Sequence, residues 1–362
     1  MAKPLRVGVI GANPGGSWGS LAHLPALKAL PEFEVTAVST AHRETAEETA
    51  RTFGIPHAFD DPRRLAEHPD VDVVSVVVRV PAHEELVGIA LDAGKHVYCE
   101  WPLGRTTDEA RALANAADAA GVVHMTGLQA RRAPAILYLR DLLDEGVLGR
   151  VTAVQLTHSV PWSAAGRPGS KYLLDRDSGA TFLTVPGGHS IDAICHVLGE
   201  FTQLRASLET LSTEAASYGF SRPSPDQAFI SGKLASGVEA GLRLQGTSKH
   251  GTGMRLEIGG TEGDLVITSV AGGRGIQMAD LAIHRATGTG RLESLEIPDR
   301  YFDLPESIRR NPPMNVAKSY RALHAAISSG NRPSPDFNDA VTRHRTIDAI
   351  QQSSDLGKTI NL

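Results

Sequence analysis

Three ionisable side chains recur at helical spacing near the middle of the sequence. His189, Asp192 and His196 follow a Pro-Gly-Gly turn, and at about 100° per residue they fall within about 60° on one helix face. An imidazole titrates near neutrality, and a neighbouring carboxylate fixes its tautomer and stabilises its charged form. We therefore predict a proton-transfer site in which Asp192 orients His196 as the base and His189 shares the catalytic and substrate-binding face.

Other interpretations of this stripe stay open. A polar helix face can be solvated, and Asp192 can form a structural pair with a histidine. The three ligand-type side chains on one face could also bind a metal, but the nearest cysteine, Cys195, lies on the opposite, apolar face of the predicted helix and the sequence shows no second ligand cluster. We therefore predict no metal.

A glycine-rich segment follows the first apolar run and precedes a helix-length segment. Such a strand, turn and helix start bind a pyrophosphate, because glycines let the backbone approach and the helix N-terminus favours negative charge. Asn13 replaces the middle glycine of the usual fingerprint, and the loop is about three residues longer. The expected contacts come from Gly11, Asn13, Gly16, Ser17 and Trp18.

The end of the second predicted strand bears on the choice between NAD and NADP. An acidic residue there binds the ribose of NAD, but the sequence has Ser39, Thr40 and Arg43, with no carboxylate before Glu44. Hydroxyls and a guanidinium suit a 2′-phosphate, so the cofactor is NAD or NADP with a lean to NADP. Alternatively, Arg43 is a surface residue at the start of a helix.

Composition limits the class of protein. The chain has 362 residues, 41% of them hydrophobic and 21% charged, with a formal net charge of −5. This length predicts two domains, and the absence of a basic tract disfavours nucleic-acid binding. Two cysteines suit a reducing cytoplasm, and no apolar run approaches the roughly 18 residues of a membrane span. We expect a cytoplasmic protein that binds neither nucleic acid nor membrane.

The hydrophobic pattern divides the chain into two halves. Residues 1–128 alternate predicted strands and helices, which indicates a doubly wound parallel sheet of the Rossmann type. Residues 129–362 begin with a helix over 134–144, continue with strands joined by Gly/Ser turns, and end in helices over 314–328 and 338–354. This second half predicts an α+β domain with a mixed, mainly antiparallel sheet. The family resemblance described below implies that this sheet is open and that the domain binds substrate, and an open sheet face favours a homodimer or homotetramer.

Residues at predicted strand ends extend the expected site. Arg79, Pro81 and His83 follow the strand predicted over 71–78, at the edge where α/β sheets bind ligands. Gln129 and Arg131 follow the last strand of the first half. Arg131 then contacts the substrate or forms an interdomain salt bridge.

A loop between the halves carries groups suited to a sugar. Trp162 and Tyr172 can stack on a sugar ring, while Arg167 or Lys171 can hold an anionic substituent. Alternatively, the two aromatic residues anchor a long loop by packing.

Several motifs together resemble the glucose-fructose oxidoreductase/inositol dehydrogenase (Gfo/Idh/MocA) family over essentially the whole chain. They are Gly8-Val9-Ile10-Gly11, His23-Leu24-Pro25-Ala26-Leu27, Pro81 with His83, Gly94-Lys95-His96-Val97-Tyr98-Cys99-Glu100, and Gly187-Gly188-His189-Ser190-Ile191-Asp192 with His196. The resemblance implies a Rossmann domain, a second domain on an open sheet, and oxidation or reduction of sugars with NAD(P). It also implies that Asp192 and His196 contact the reacting hydroxyl.

One departure from the family divides the functional predictions. The family's Glu-Lys-Pro motif reads Glu100-Trp101-Pro102 here, so Trp101 takes the place of a lysine at the nicotinamide and substrate. This variant is similar to the subgroup that contains the fungal galactose-pathway repressor. We predict an NAD(P)-dependent sugar oxidoreductase. The alternatives are a redox-neutral NAD-dependent glycosidase, conceivably acting on an anionic sugar such as a sulfosugar, and a non-catalytic dinucleotide-sensing regulator.

Overall fold

The computed structural model describes residues 3–164, 169–270, 275–288 and 290–362. The chain forms two compact units: Met1–Gln129 with Leu304–His344, and Ala130–Asp303 with Arg345–Leu362. The sequence analysis predicted two contiguous domains that meet near residue 128. In the structure, the segment 304–344 belongs with the first unit. Among the described residues, no helix is both long and apolar enough to cross a membrane.

The first unit contains a six-stranded parallel sheet in the order β3-β2-β1-β4-β5-β6. All four residues of β4 are buried, as expected when helices cover both faces. The strands are β1 (Leu5–Ile10), β2 (Phe33–Ser39), β3 (His57–Phe59), β4 (Val73–Val76), β5 (His96–Cys99) and β6 (His124–Thr126). This order confirms the predicted doubly wound Rossmann sheet.

Five helices connect these strands: α1 (Leu24–Ala29), α2 (Arg43–Phe53), α3 (Pro62–Ala66), α4 (His83–Asp92) and α5 (Thr107–Ala120). A π-helical turn, Gly19–His23, leads into α1. The hydroxyl of Thr106 accepts a hydrogen bond from the Glu109 backbone N–H and so caps α5, which ends at Gly121 with a φ of 65°.

The second unit contains a nine-stranded sheet in the order β14-β13-β12-β11-β7-β10-β9-β8-β15. Its elements begin with α6 (Pro134–Asp144), β7 (Val151–Ser159), α7 (Gly188–Leu198), β8 (Phe201–Glu209), α8 (Glu214–Ser217) and β9 (Gln227–Leu234). They continue with β10 (Glu239–Gln245), β11 (Gly253–Gly260), β12 (Gly263–Ser269), β13 (Leu281–Thr287) and β14 (Glu293–Leu295). The chain closes with α9 (Pro313–Ser329), α10 (Phe337–Leu356) and β15 (Ile360–Asn361).

The sheet of the second unit is mixed and mainly antiparallel, as predicted. β10 and β7 pair in parallel, and the other paired strands are antiparallel within the described residues. Val154, Leu156 and His158 of β7 are buried on one face, while Gln155 and Thr157 are exposed on the other. The sequence analysis missed β13, β14 and β15. β14 and β15 are only three and two residues long, whereas β13 has seven.

Helix α9 explains why residues 304–344 belong to the first unit. Tyr320 of α9 is fully buried, and its ring centroid lies 5.5 Å from that of Phe33 and 4.8 Å from that of Tyr98. Such aromatic contacts join residues far apart in the chain, so a contiguous domain boundary could not be read from composition.

Candidate functional site

The loop after β1 is shaped to hold a dinucleotide phosphate. Gly11 has a φ of +103°, and a Cβ there would lie 2.3 Å from the Val77 carbonyl oxygen. Gly19 begins the π-helical turn, and a Cβ there would lie 2.8 Å from the Ala12 Cα. Glycine at these positions therefore permits the sharp turn and the close approach of helix to strand. Sequence reasoning missed Gly19, although it is the last glycine of the loop.

Hydrogen bonds within the loop accommodate its extra length. Ser17 Oγ accepts from the Asn13 N–H at 2.8 Å and donates to the Asn13 carbonyl at 2.9 Å. Ser20 Oγ donates to the same carbonyl at 2.8 Å, and the Gly15 N–H donates to Asn13 Oδ1 at 3.0 Å. Asn13 thus supplies turn-forming contacts where the fingerprint has glycine.

Two buried polar atoms at this end of the sheet lack protein partners. The Trp18 indole Nε1 and the Gln129 amide Oε1 have no hydrogen-bond partner among the described residues. Buried polar groups nearly always have a partner, so these atoms suit contacts to a ligand. Together with the Gly11 turn, they make the first unit fit a dinucleotide.

The end of β2 favours the surface interpretation of Arg43. Its Nε lies 2.7 Å from Glu47 Oε1, one turn along α2, and its Nη1 donates to the Ala58 carbonyl at 3.0 Å. Thr40 Oγ1 donates to the His42 carbonyl at 2.9 Å, and Ser39 is buried as the last residue of β2. The 2′-phosphate contact of Arg43 stays a prediction.

A buried network holds the Glu100 carboxylate. Its Oε1 lies 3.1 Å from His23 Nε2, while His23 Nδ1 lies 2.7 Å from the Tyr320 hydroxyl. Tyr320 donates to Ser75 Oγ at 2.9 Å. A Cβ at Gly127 would lie 2.4 Å from Glu100 Oε1, so glycine leaves room for the carboxylate. Tyr320 and Ser75 carried no recognisable signal in the sequence.

Trp101 is buried and lies against a histidine from α10. Its ring centroid is 4.7 Å from that of His344, whose Nε2 has no hydrogen-bond partner among the described residues. Burial lowers the pKa of His344 to about 4. The residue in the place of the family's lysine thus packs against an uncharged imidazole.

The three residues predicted after β4 differ in exposure. Arg79 and Pro81 are exposed, whereas His83 is buried. The two ring nitrogens of His83 lie 2.9 Å from the Pro102 carbonyl oxygen and 3.1 Å from that of Val78. His83 therefore connects the turn after β4 to the segment after β5, and the predicted cofactor contacts of all three residues stay predictions.

The predicted catalytic stripe lies on α7, after a π-helical turn, Leu183–Gly187, that contains Pro186. His189 is 3% exposed and Asp192 is fully buried, while His196 is partly buried. The alternative of a solvated polar face is therefore wrong for His189 and Asp192.

Asp192 pairs with Arg131 within the second unit. Arg131 Nε donates to one carboxylate oxygen at 2.8 Å and Nη2 to the other at 2.7 Å. The described residues show no hydrogen bond between Asp192 and His196, and Asp192 acts on His196 through its charge. The predicted orientation of His196 by Asp192 stays a prediction. This ion pair lies within one unit, and the interdomain alternative for Arg131 stays a prediction. Sequence spacing could not show this contact across 61 residues.

His196 is an uncharged imidazole at neutral pH. Burial, followed by the positive charge of Arg131, lowers its pKa to about 4, while the charge of Asp192 acts in the opposite direction. Asp192 therefore influences His196 through space, as a counter-charge. An imidazole that is neutral and has no hydrogen-bond partner in the described part of the chain can accept a proton.

The loop predicted to hold the sugar is anchored by packing contacts. Trp162 Nε1 donates to the Leu173 carbonyl at 3.2 Å, and its ring centroid lies 5.9 Å from that of Phe182. Lys171 Nζ lies 4.4 Å from the centroid of the Tyr218 ring. Tyr172 is partly buried, and Arg167 lies outside the described residues. These contacts favour the packing alternative for Trp162, and the substrate contacts stay predictions.

A group of possible metal ligands lies in the first unit. His57, His68 and Asp70 offer ligand atoms within 4.8 Å of one another. Asp70 already pairs with Arg6 at 2.7 Å, and its backbone N–H donates to His68 Nδ1 at 3.2 Å. Protein contacts therefore account for much of this cluster.

Comparisons with known proteins agree with the two-unit fold. Residues 5–128 match the model of an oxidoreductase family with an NAD-binding Rossmann fold, and residues 134–269 match that of the Gal80p C-terminal domain. The chain is 37% identical over 218 residues to the dehydrogenase aclE of Aspergillus oryzae, covering 58% of this chain and 59% of that protein. It is 25% identical to the galactose/lactose metabolism regulatory protein GAL80 of Saccharomyces cerevisiae, covering 100% and 95%.

A sugar dehydrogenase is similar in both sequence and structure. The chain is 31% identical over 291 residues to levoglucosan dehydrogenase of Pseudarthrobacter phenanthrenivorans, covering 72% of this chain and 73% of that protein. A levoglucosan dehydrogenase structure in complex with NADH and levoglucosan superposes with a TM-score of 0.82 at 25% identity, covering 99% of each chain. The chain therefore belongs to the Gfo/Idh/MocA family of oxidoreductases.

Proposed function

We propose that this protein is an NAD-dependent dehydrogenase that oxidises a hydroxyl group of a sugar or sugar derivative. The observation that carries the proposal is the position of His196 on the face of α7 that it shares with Asp192, without a hydrogen-bond partner among the described residues. The dinucleotide cradle of the first unit and the similarity to levoglucosan dehydrogenase support it.

His196 acts as the general base in this proposal. A bound nicotinamide supplies the hydride acceptor. Removing hydride from a carbinol carbon requires that the hydroxyl proton leave, and the neutral imidazole of His196 takes that proton. Asp192 stabilises the resulting imidazolium through space, while Arg131 fixes the carboxylate in place. His189, on the same face, contacts the sugar.

NAD is the cofactor we propose, although the sequence leaned towards NADP. Arg43 is engaged by Glu47 and by the Ala58 carbonyl, and structures of levoglucosan dehydrogenase hold NADH. A half-exposed arginine in an ion pair with its own helix is less suited to recruit a 2′-phosphate than an unpaired one.

The test combines two measurements on a panel of sugars that includes levoglucosan. Reduced nicotinamide is followed by absorbance with NAD or NADP, and products are followed by chromatography. We expect stoichiometric NADH with the wild type, and a fall in kcat of about 10²–10⁴-fold in His196→Ala. His250→Ala, at an exposed histidine of the same unit, is the matched control. Unchanged turnover in His196→Ala with intact NAD binding contradicts the proposed base.

A dinucleotide-sensing regulator is the second candidate. The match of residues 134–269 to the Gal80p C-terminal domain favours it, as does Trp101 in the place of the family's lysine. This candidate predicts NAD binding without turnover of any sugar. The glycosidase alternative predicts a released aglycone without net NADH, so the same assay separates all three functions.

The predicted homodimer or homotetramer also remains our proposal. The outer face of the second sheet is open, and Phe229 on it is 54% exposed. Light scattering on the full chain measures the oligomeric state directly, and a monomer at micromolar concentration contradicts the proposed homodimer or homotetramer.

A further inference from the structure

A buried histidine outside the predicted stripe has one ring nitrogen without a partner. His158 is fully buried near the end of β7, and its Nε2 has no hydrogen-bond partner among the described residues. Burial, followed by the nearby charge of His189, lowers the pKa of His158 to about 4. The imidazole is therefore neutral and lies beside the catalytic stripe.

Its hydrogen bonds identify the tautomer. Ser190 Oγ donates its single proton to the Pro186 carbonyl at 2.9 Å, so it can only accept at the 2.9 Å contact with His158 Nδ1. Nδ1 therefore carries the hydrogen, and Nε2 presents a lone pair. Ser190 and His158 are both 0% exposed, so the lone pair is held in a fixed direction and away from bulk water.

A buried acceptor without a donor is costly, and the surrounding chemistry suggests which donor serves it. A sugar offers several hydroxyl groups, and a nitrogen that only accepts discriminates a hydroxyl from an ether or carbonyl oxygen. We propose that His158 Nε2 accepts a hydrogen bond from one hydroxyl group of the sugar substrate and so determines specificity. This inference rests on the proposed sugar dehydrogenase function.

Two substitutions separate the two ring nitrogens. His158→Asn keeps an N–H near the position of Nδ1 for Ser190 and deletes the acceptor at Nε2. His158→Gln keeps a polar atom near the position of Nε2. We expect kcat/KM for the sugar to fall about 10–100-fold in His158→Asn and less in His158→Gln, with the Kd for NAD unchanged in both.

A series of monodeoxy sugars gives the decisive readout. For the analogue that lacks the recognised hydroxyl, kcat/KM of the wild type should fall by the same factor as the substitution causes with the full sugar. The wild type and His158→Asn should then have equal kcat/KM values for that analogue. If His158→Asn lowers kcat/KM by the same factor for every analogue, Nε2 is bound by water or has a structural role, and the inference is overturned. That result leaves the dehydrogenase function standing, whereas a wild type that neither binds nor oxidises any sugar overturns both.

Discussion

Removing one partner of the Arg131–Asp192 pair should destabilise the second unit strongly. The two side chains are 6% and 0% exposed and share two hydrogen bonds of 2.8 and 2.7 Å. Breaking such a pair leaves a buried charge uncompensated and costs about 3–5 kcal/mol. We therefore expect Arg131→Met and Asp192→Asn each to lower Tm by about 6–20 °C, at about 2–4 °C per kcal/mol for a folding unit of this size.

The assay is thermal and urea unfolding of the two single variants and of Arg131→Met/Asp192→Leu. The double variant should lose less stability than either single variant, because no buried charge remains. Arg222→Met is the matched control, since Arg222 and Asp177 form an exposed pair in the same unit, whose loss costs about 1 kcal/mol or less. Two results would refute the interpretation of Arg131 and Asp192 as a buried ion pair. One is a loss of stability in the double variant equal to the sum of the two single losses, and the other is a loss in Arg131→Met as small as that in Arg222→Met.

The same variants should move the pKa of His196 in opposite directions. Arg131 is the largest charge that lowers this pKa, and Asp192 raises it. Arg131→Met should therefore raise the pKa from about 4 towards neutrality, and Asp192→Asn should lower it further. Proton NMR of the imidazole measures both shifts. A shift in the same direction in both variants contradicts the proposed through-space influence.

Three further results are expected. Gly11→Ala should weaken NAD binding at least tenfold, because its Cβ would lie 2.3 Å from a carbonyl oxygen at a φ of +103°. Gly15→Ala is the control, since the nearest contact of its Cβ would be at 3.4 Å. Equal NAD affinities of the two variants in calorimetry would refute this prediction. His158 and His344, each with a folded pKa of about 4 against 6.5 when exposed, contribute stability that is complete above pH 6.5 and is lost as the pH falls towards 4. Each histidine should lower the free energy of unfolding by about 1.4 kcal/mol per pH unit between pH 6.5 and 4. A free energy of urea unfolding that is independent of pH from 7 to 5 contradicts this prediction. Arg43→Ala should change the NAD affinity less than threefold, and a selective loss of NADP affinity would instead restore the 2′-phosphate contact.

Much of the fold could be predicted because its signals are local. The apolar run of β1, its glycine-rich turn and the alternation of strands and helices depend on neighbours in the chain, and the sheet order confirms them. The stripe of α7 follows from helical periodicity alone. Strands such as β14, with three residues, are too short to give a periodic signal.

The sequence by itself determined which ionisable residues share a helix face, because a spacing of three or four residues suffices for that. Only the tertiary structure decided their state. Arg131 reaches Asp192 across 61 residues, and Tyr320 reaches His23 across 297. Desolvation and ion pairing depend on groups that folding brings from distant parts of the chain, so the charge of His196 and the partner of Asp192 could not be read from local pattern.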